Sequence, residues 1–195
     1  SELVMLSQKE VDYFEKLVED LLVLAQVSEP RYQANQDLVP LQDILDEEVS
    51  SVSAYDPSGT KKVKFDPAQG TEKEIVLGDR FLLRRLFRNA LENACYFSRT
   101  EVVVQCELVS DGFVLVRIQD DGFGFSDSAL LGFGVRKTRR TLMGNIDGRL
   151  SVGLGSVIMK TVAEIHGGRV VAENRLDPFG NIRGAEIRIY LPRRP

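Results

Sequence analysis

RLFRNALENACYFS, residues 85–98, is an apolar helical pattern that two amide side chains interrupt on one face. Asn89 and Asn93 are four residues apart, so they lie one turn apart on the same side of an α-helix. Amides on a buried face cost free energy unless they bind something. Their oxygens suit Mg²⁺, which also keeps water and phosphate oxygens as ligands. The stretch predicts a metal-binding helix face, and the competing interpretation is a pair of capping or exposed amides.

A second stretch, IQDDGFGFSD (residues 118–127), combines an apolar strand with acidic residues and glycines. Its acidic residues do not have the alternating spacing and final bidentate Glu of an EF-hand, so a calcium loop is excluded. It also lacks the third glycine of a dinucleotide fingerprint. The nearest match to a P-loop, LGFGVRKT, has Leu131 and Arg136 at the required glycine positions. A plain turn at the end of a strand remains the alternative.

A third stretch, SVGLGSVIMKTVAEIHGG (residues 151–168), places Gly153 and Gly155 where a helix begins. A helix N-terminus offers N–H groups and the positive end of the helix dipole, which together form a phosphate site. A flexible loop is the alternative interpretation. Each of the three stretches is weak evidence alone, but their order along the chain is informative.

The three stretches together resemble the GHKL superfamily of ATP-binding proteins, and within it the bacterial sensor histidine kinases. Residues 85–98 are similar to the family's N box, IQDDGFGF to its G1 box and residues 151–168 to its G2 box. GAEIRIYLP (184–192) resembles its final strand. FEKLVEDLLVLAQV (14–27) is similar to the second helix of the dimerisation and phosphotransfer hairpin, so the resemblance covers nearly the whole chain.

The resemblance implies a role for each matching residue. Asn93 would bind Mg²⁺, and Asn89 would assist at the metal and the phosphates, which makes these two the catalytic candidates. Asp120 would accept a hydrogen bond from the amino group of adenine, a donor that guanine lacks at this edge. Gly122 and Gly124 would let the backbone pass close to the base. The other ATP-binding positions would be Tyr96, Phe97, Arg136, Lys137, Gly153, Leu154 and Gly155.

Residues 126–152 would form the ATP lid, a loop that orders around the nucleotide. Its basic side chains are candidates for contact with the γ-phosphate, although they are also consistent with a solvated surface. These side chains are Arg136, Lys137, Arg139 and Arg140.

Some positions depart from the family pattern. Tyr96 stands where the N box usually has lysine, Phe97 where it usually has tyrosine, and Ser151 where the G2 box often has glycine. These departures favour an alternative in which the protein is a degenerate kinase acting as a nucleotide-binding regulatory module.

His166 is the only histidine of the chain, and it matches the HGG that ends the G2 box. It lies at a helix end rather than in the motif of a phosphoacceptor, so we interpret it as structural. The phosphoacceptor histidine is therefore expected on a helix outside this chain, in the homodimeric full-length kinase. A response regulator receiver domain would be the downstream acceptor.

Hydrolysis is disfavoured by the N box. GHKL hydrolases generally carry a glutamate one turn before the metal-binding asparagine as a general base, and Asn89 stands there. Glu92 is about 100° around the helix from Asn93 and does not replace it. A kinase needs no water-activating base, because the acceptor imidazole is itself the nucleophile. An anti-sigma-type serine kinase is a second alternative, and the long N-terminal helix disfavours it.

The periodicity of the chain predicts a long helix followed by mixed helices and strands, with the longer strands in antiparallel pairs. We expect an α+β two-layer sandwich of the GHKL type, with helices on one face of a mixed, mostly antiparallel sheet. Residues 1–29 would be the dimerisation helix, with a heptad-like apolar seam. Residues 30–195 would be the ATP-binding domain.

Composition argues against several further functional classes, among them nucleic-acid-binding and membrane-spanning proteins. A net charge of −4 gives no basic footprint for nucleic acid. No apolar run approaches the length of a membrane span, and the N-terminus lacks the pattern of a signal peptide. Only two cysteines occur, Cys95 and Cys106, which fits a reducing cytoplasm.

Overall fold

The computed structural model describes residues 2–54, 61–109, 111–135 and 154–194, without the side chains of 2–10, 12 and 13. The helices are α1 (Glu2–Val27), α2 (Leu41–Ala54), α3 (Arg80–Phe97), α4 (Asp127–Leu131) and α5 (Leu154–Ile165). The strands are β1 (Asp37–Pro40), β2 (Lys62–Pro67), β3 (Ile75–Gly78), β4 (Glu101–Val109), β5 (Phe113–Asp120), β6 (Arg169–Leu176) and β7 (Ile182–Pro192).

Five strands form the main sheet, in the order β2-β4-β5-β7-β6. β2 pairs with β4 in parallel, and the other three pairs are antiparallel. β1 and β3 form a separate antiparallel pair, which one bridge between Val76 and Arg193 links to the end of the chain. The predicted α+β class with a mixed, mostly antiparallel sheet is confirmed.

The core lies between one face of this sheet and the helices. Side chains along a strand alternate between the two faces, and in β4 the alternate residues Val102, Val104 and Cys106 are fully buried. The other face carries a ladder of opposite charges across neighbouring strands. Arg117 pairs with Glu107 and Glu186, and Arg188 also pairs with Glu186. In the described segments the helices therefore cover one face of the sheet, as the two-layer prediction requires.

Among the described residues, α1 contacts the rest of the chain through its C-terminal half. Asp20, Val23 and Leu24 are buried there, and α1 packs against α5. The predicted heptad seam is only partly used by these contacts. Several apolar side chains of α1 are exposed, namely Val11, Phe14, Val18, Leu21 and Leu22. An apolar face of α1 is thus left uncovered by the described residues. None of the helices that the structure describes combines the length and apolar character of a membrane span.

α2 is fastened to α3 by one buried carboxylate. Glu48 is 1% exposed, and it accepts hydrogen bonds from Nε of Arg84 (2.9 Å) and of Arg88. The neighbouring Glu47 also pairs with arginines of α3, but its side chain is 48% exposed. The two glutamates should therefore contribute differently to stability, because a buried charge depends on its partners far more than a charge in solvent.

We therefore expect Glu48→Ala to lower the free energy of unfolding by about 2–3 kcal/mol, because it removes a charged acceptor and leaves two guanidinium donors without it. Glu47→Ala is the matched control and should change it by less than about 1 kcal/mol. Urea denaturation of both variants measures the difference, and equal losses would contradict this role for Glu48.

Candidate functional site

The amides of the N box meet the glycine of the G2 box where α3 crosses α5. A Cβ atom added to Gly155 would lie 2.9 Å from Oδ1 of Asn89 and 3.6 Å from Nδ2 of Asn93. A Cβ at residue 155 would require the Asn89 amide to move, whereas its distance to the Asn93 amide is an ordinary van der Waals contact. The fold thus brings Gly155, at the N-terminus of α5, next to Asn89 and Asn93 of α3, which are distant from it in sequence.

The orientation of Asn89 is set by its own helix. The side chain is 2% exposed, and Nδ2 donates to the carbonyl of Arg85 at 3.0 Å. Oδ1 is consequently the atom that faces Gly155 and the start of α5. Asn93, one turn later, is partly exposed.

These residues fit the chemistry of a magnesium nucleotide. Mg²⁺ is commonly held by one or two protein oxygens together with phosphate oxygens and water, and a helix N-terminus favours the phosphates. The described segments contain no cluster of three or more His, Cys, Asp or Glu side chains able to hold a metal.

Asp120 lies at the end of β5 with a half-satisfied carboxylate. It is 5% exposed, and Oδ1 accepts hydrogen bonds from N–H of Gly122 (2.8 Å) and Ala185 (3.1 Å). No bond from the residues that the structure describes reaches Oδ2. Burial raises the pKa of Asp120 above its ordinary value, and the two backbone hydrogen bonds act in the opposite direction. The geometry leaves Oδ2 available as an acceptor for a donor from a ligand.

The two glycines of the G1 box have packing roles of their own. A Cβ at Gly122 would overlap the carbonyl oxygen of Phe97, so this glycine lets the loop lie against the end of α3. Gly124 has φ +76°, a conformation that favours glycine. A Cβ there would lie 2.6 Å from Cγ2 of Ile182.

Asn174 of β6 holds the G1 loop in place, and the sequence analysis did not identify it. Its Oδ1 accepts from N–H of Phe125 at 2.6 Å, and its Nδ2 donates to the carbonyl of the same residue at 2.9 Å. This two-point contact fixes the backbone directly after Gly124. The signal in the sequence is one amide in a strand that also carries charged residues, which is too common to be diagnostic.

Asp121 fastens the same loop from the other side. Its carboxylate accepts from the N–H groups of Arg99 (2.8 Å), Thr100 (3.0 Å) and Glu101 (3.2 Å), and from the Thr100 hydroxyl (2.5 Å). Burial alone would raise the pKa of Asp121, but hydrogen bonds led by those of Thr100 lower it to about 2. Asp121 therefore joins the G1 loop to the turn between α3 and β4.

The aromatic residues around the loop divide into packed and exposed groups. Phe125 packs edge to face against Phe133, with ring centroids 6.3 Å apart, and both lie on the core. Phe123 is 77% exposed, with the guanidinium of Arg99 stacked 4.4 Å from its ring centre. The predicted ATP-binding residues Tyr96 and Phe97 are exposed at the end of α3, next to this loop.

The lid prediction falls only partly on described residues. Residues 127–131 form the short helix α4, where the sequence predicted irregular structure, and Ser126 caps it by accepting from N–H of Ala129 at 3.3 Å. Leu154 opens α5 and packs against the core. The predicted site residues outside the described segments are Arg136, Lys137 and Gly153, together with Arg139, Arg140 and Ser151.

Comparison with known proteins assigns this arrangement to a family. Residues 78–195, more than half of the chain, match the family described as histidine kinase-, DNA gyrase B-, and HSP90-like ATPase. The chain belongs to this ATPase family. The match begins just before α3 and contains all the residues that form the site, from the N box to the final strand.

The curated relatives place the ATPase domain among sensor kinases. A probable sensor histidine kinase of Mycobacterium tuberculosis (strain CDC 1551 / Oshkosh) is 31% identical over 176 residues, which are 90% of this chain and 42% of the relative. The sensor protein FixL of Bradyrhizobium diazoefficiens is 32% identical over 123 residues, which are 61% of this chain and 22% of the relative. The resemblance to sensor histidine kinases is confirmed, and the chain spans less than half the length of either relative.

Solved structures show the same fold. The mycobacterial sensor histidine kinase MprB has a TM-score of 0.66 and 25% identity, over 82% of this chain and 99% of that one. Full-length ShkA in complex with AMPPNP has a TM-score of 0.75 and 20% identity, over 95% of this chain and 37% of that one. The second likeness supports the fold of the ATPase domain together with its N-terminal helix.

His166 is a structural residue of this domain. It is 8% exposed, Nδ1 bonds to the carbonyl of Val162 (2.7 Å), and Nε2 accepts from N–H of Asp79 (2.9 Å). Burial lowers the pKa of His166, while Val162 and Asp79 act to raise it. Both ring nitrogens are occupied, so the imidazole offers no free nucleophile, in agreement with the interpretation from the sequence.

Removing the Asp121 carboxylate should loosen the G1 loop. We expect Asp121→Ala to lower the free energy of unfolding by about 2 kcal/mol at pH 7, because several donors lose a charged acceptor. The lowered pKa makes this contribution present above about pH 4 and lost as the pH falls toward 2. Denaturant curves of the wild type and Asp121→Ala should therefore converge at acidic pH. Asp46→Ala, which removes an exposed carboxylate of α2, should have no such effect.

Proposed function

We propose that this chain binds Mg-ATP and transfers its γ-phosphate to a histidine on a dimerisation helix outside the chain. It would be the catalytic part of a two-component sensor histidine kinase. The observation that carries the proposal is the convergence of Asn89, Asn93 and Gly155 at the start of α5. A buried carboxylate with a free acceptor, Asp120, supplies the second recognition point.

Each part of the nucleotide has a matching group in this arrangement. Oδ2 of Asp120 would accept the adenine amino group, which distinguishes adenine from guanine. The N-terminus of α5 would hold phosphate oxygens. Asn93 would hold Mg²⁺, with Asn89 beside it, and the bound metal would neutralise charge on the phosphates. The two amides would orient the triphosphate for transfer.

The transfer needs little further chemistry from the chain. A ring nitrogen of the acceptor histidine would form a bond to the γ-phosphorus, while the bond from that phosphorus to the bridging oxygen of ADP breaks. Glu92 is the acidic residue nearest to the metal-binding asparagine in sequence. It pairs with Lys16 of α1 and lies 4.0 Å from Nη1 of Arg88. These contacts support transfer over hydrolysis, since Glu92 is engaged elsewhere.

The apolar face of α1 supports the proposed partners. We infer that residues 1–29 are the second helix of the dimerisation hairpin and residues 30–195 the ATP-binding domain. Apolar side chains of α1 are exposed, for example Phe14 at 65% and Leu21 at 50%. Such a face is suited to packing against the phosphoacceptor helix. A homodimeric kinase with a response regulator receiver domain as downstream partner follows from this reading.

Asp120→Asn tests recognition of the base. The amide can keep its oxygen toward Gly122 and Ala185, but it then turns an N–H₂ donor toward the amino group of adenine. We expect affinity for ATP to fall at least about 30-fold, with the fold retained. Calorimetry measures the affinity, and Asp46→Asn on α2 is the control. Unchanged affinity in Asp120→Asn would contradict the assigned role of Asp120.

Phosphotransfer to the upstream helix tests the activity. The chain is mixed with Mg-ATP and the hairpin that precedes it in the full-length protein, and acid-labile phosphate is expected on the hairpin. Binding without transfer would support the nucleotide-binding module, which Tyr96 at the usual lysine position favours. Acid-stable phosphoserine would support the anti-sigma-type kinase. Absence of transfer in the intact full-length protein as well would overturn the proposal.

A further inference from the structure

The main-chain carbonyl of Asp120 is held by an arginine from a strand that is not its neighbour. Nη1 of Arg175, on β6, donates to this carbonyl oxygen at 2.9 Å. Because β7 lies between β6 and β5, the Arg175 side chain spans a whole strand to reach the end of β5. The pairing of β5 with β7 ends one residue before Asp120, so Arg175 supplies a partner where the regular ladder stops.

Gly184 makes room for this contact. It lies directly opposite Arg175 in the β6–β7 pair, and the register of these strands shifts immediately after Arg175. A Cβ atom at Gly184 would lie 1.9 Å from the carbonyl oxygen of Asp120. A side chain at this position would therefore displace the carbonyl that Arg175 holds.

Arg175 differs from neighbouring arginines of the sheet in the kind of group it binds. Arg188 pairs with Glu186, and Arg183 pairs with Asp177. None of the ion pairs between described residues includes Arg175, whose donor goes to a neutral carbonyl instead. A hydrogen bond from a charged donor is stronger than one between neutral groups. The contact is therefore a firm anchor for the end of β5.

We propose that Arg175 is a positioning residue for recognition of the base, which fixes the main chain of Asp120 so that Oδ2 stays in place for the adenine amino group. The inference rests on the proposed ATP-binding function. Arg175 holds the carbonyl, while the N–H groups of Gly122 and Ala185 hold Oδ1. Residue 120 is thus fixed at both its main chain and its carboxylate, and Arg175 acts through it without touching the base.

Arg175→Met keeps an unbranched side chain and removes the donor. We expect affinity for Mg-ATP to fall about 5–20-fold, because Asp120 loses its main-chain anchor. The matched control is Arg183→Met, which removes an arginine of β7 next to Gly184 whose side chain is 71% exposed. Its affinity should stay within about twofold of wild type. Calorimetry on the whole chain measures both, and unchanged affinity in Arg175→Met would overturn the inference.

A nucleotide without the amino group separates positioning from a general loss of stability. Purine riboside triphosphate has a hydrogen atom in place of that group, so it donates nothing to Oδ2 of Asp120. Wild type and Arg175→Met should therefore bind its Mg²⁺ complex within about twofold of each other. An equal loss for both nucleotides would overturn the inference. Arg175→Gln, a second variant, should show the same selective loss and replaces Arg175→Met if that variant is unfolded.

A further measurement does not use nucleotide. The carbonyl ¹³C resonance of Asp120 in the labelled chain should shift in Arg175→Met and stay in place in Arg183→Met. An unchanged resonance in Arg175→Met would overturn the inference, whether or not nucleotide binds. Failure of the wild-type chain to bind Mg-ATP at all would instead overturn the proposed function, and with it the role of Asp120 in reading the base.

Discussion

The close approach of α3 and α5 at Gly155 is the constraint on which the site depends. A glycine at this position allows the amides of the N box to lie directly against the start of the next helix. The two helices also pack extensively against each other, with the buried residues of both facing the sheet. The elements that would hold metal and phosphate are therefore fixed by the hydrophobic core, and the site inherits its rigidity from that core.

The side of the site that we propose to bind the base is held differently, because it is built from loops at the end of β5. Loops lack the ladder of hydrogen bonds that orders a sheet, so their shape must come from side chains. Asp121 fastens the G1 loop to the turn after α3, and Asn174 fastens it to β6. Between these two anchors, Asp120 keeps one oxygen for the loop and leaves the other for a ligand. In the proposed site, structural and recognition roles would thus be divided between adjacent carboxylates, although the sequence presents them as an equivalent pair.

This division shows what could be predicted from the sequence. The helices and strands follow from apolar periodicity, and the family pattern predicts one site that contains Asn89, Asn93, Asp120 and Gly155. The anchoring partners of Asp121 could not be predicted, because backbone N–H groups carry no residue-specific signal. The parallel pairing of β2 with β4 was equally hidden, since it depends on how the connection containing α3 packs.

α3 is the helix through which the candidate site contacts the neighbouring helices. α3 contacts α2 through Glu48, α5 through Asn89 and α1 through Arg85 and Glu92. Proximity alone does not make a path of coupling, which requires an element with two discrete arrangements. Nδ2 of Asn89 donates to the carbonyl of Arg85 within α3 itself. The orientation of the amide is therefore set by the helix that carries it, and the contacts with α1 and α2 position that helix as a whole.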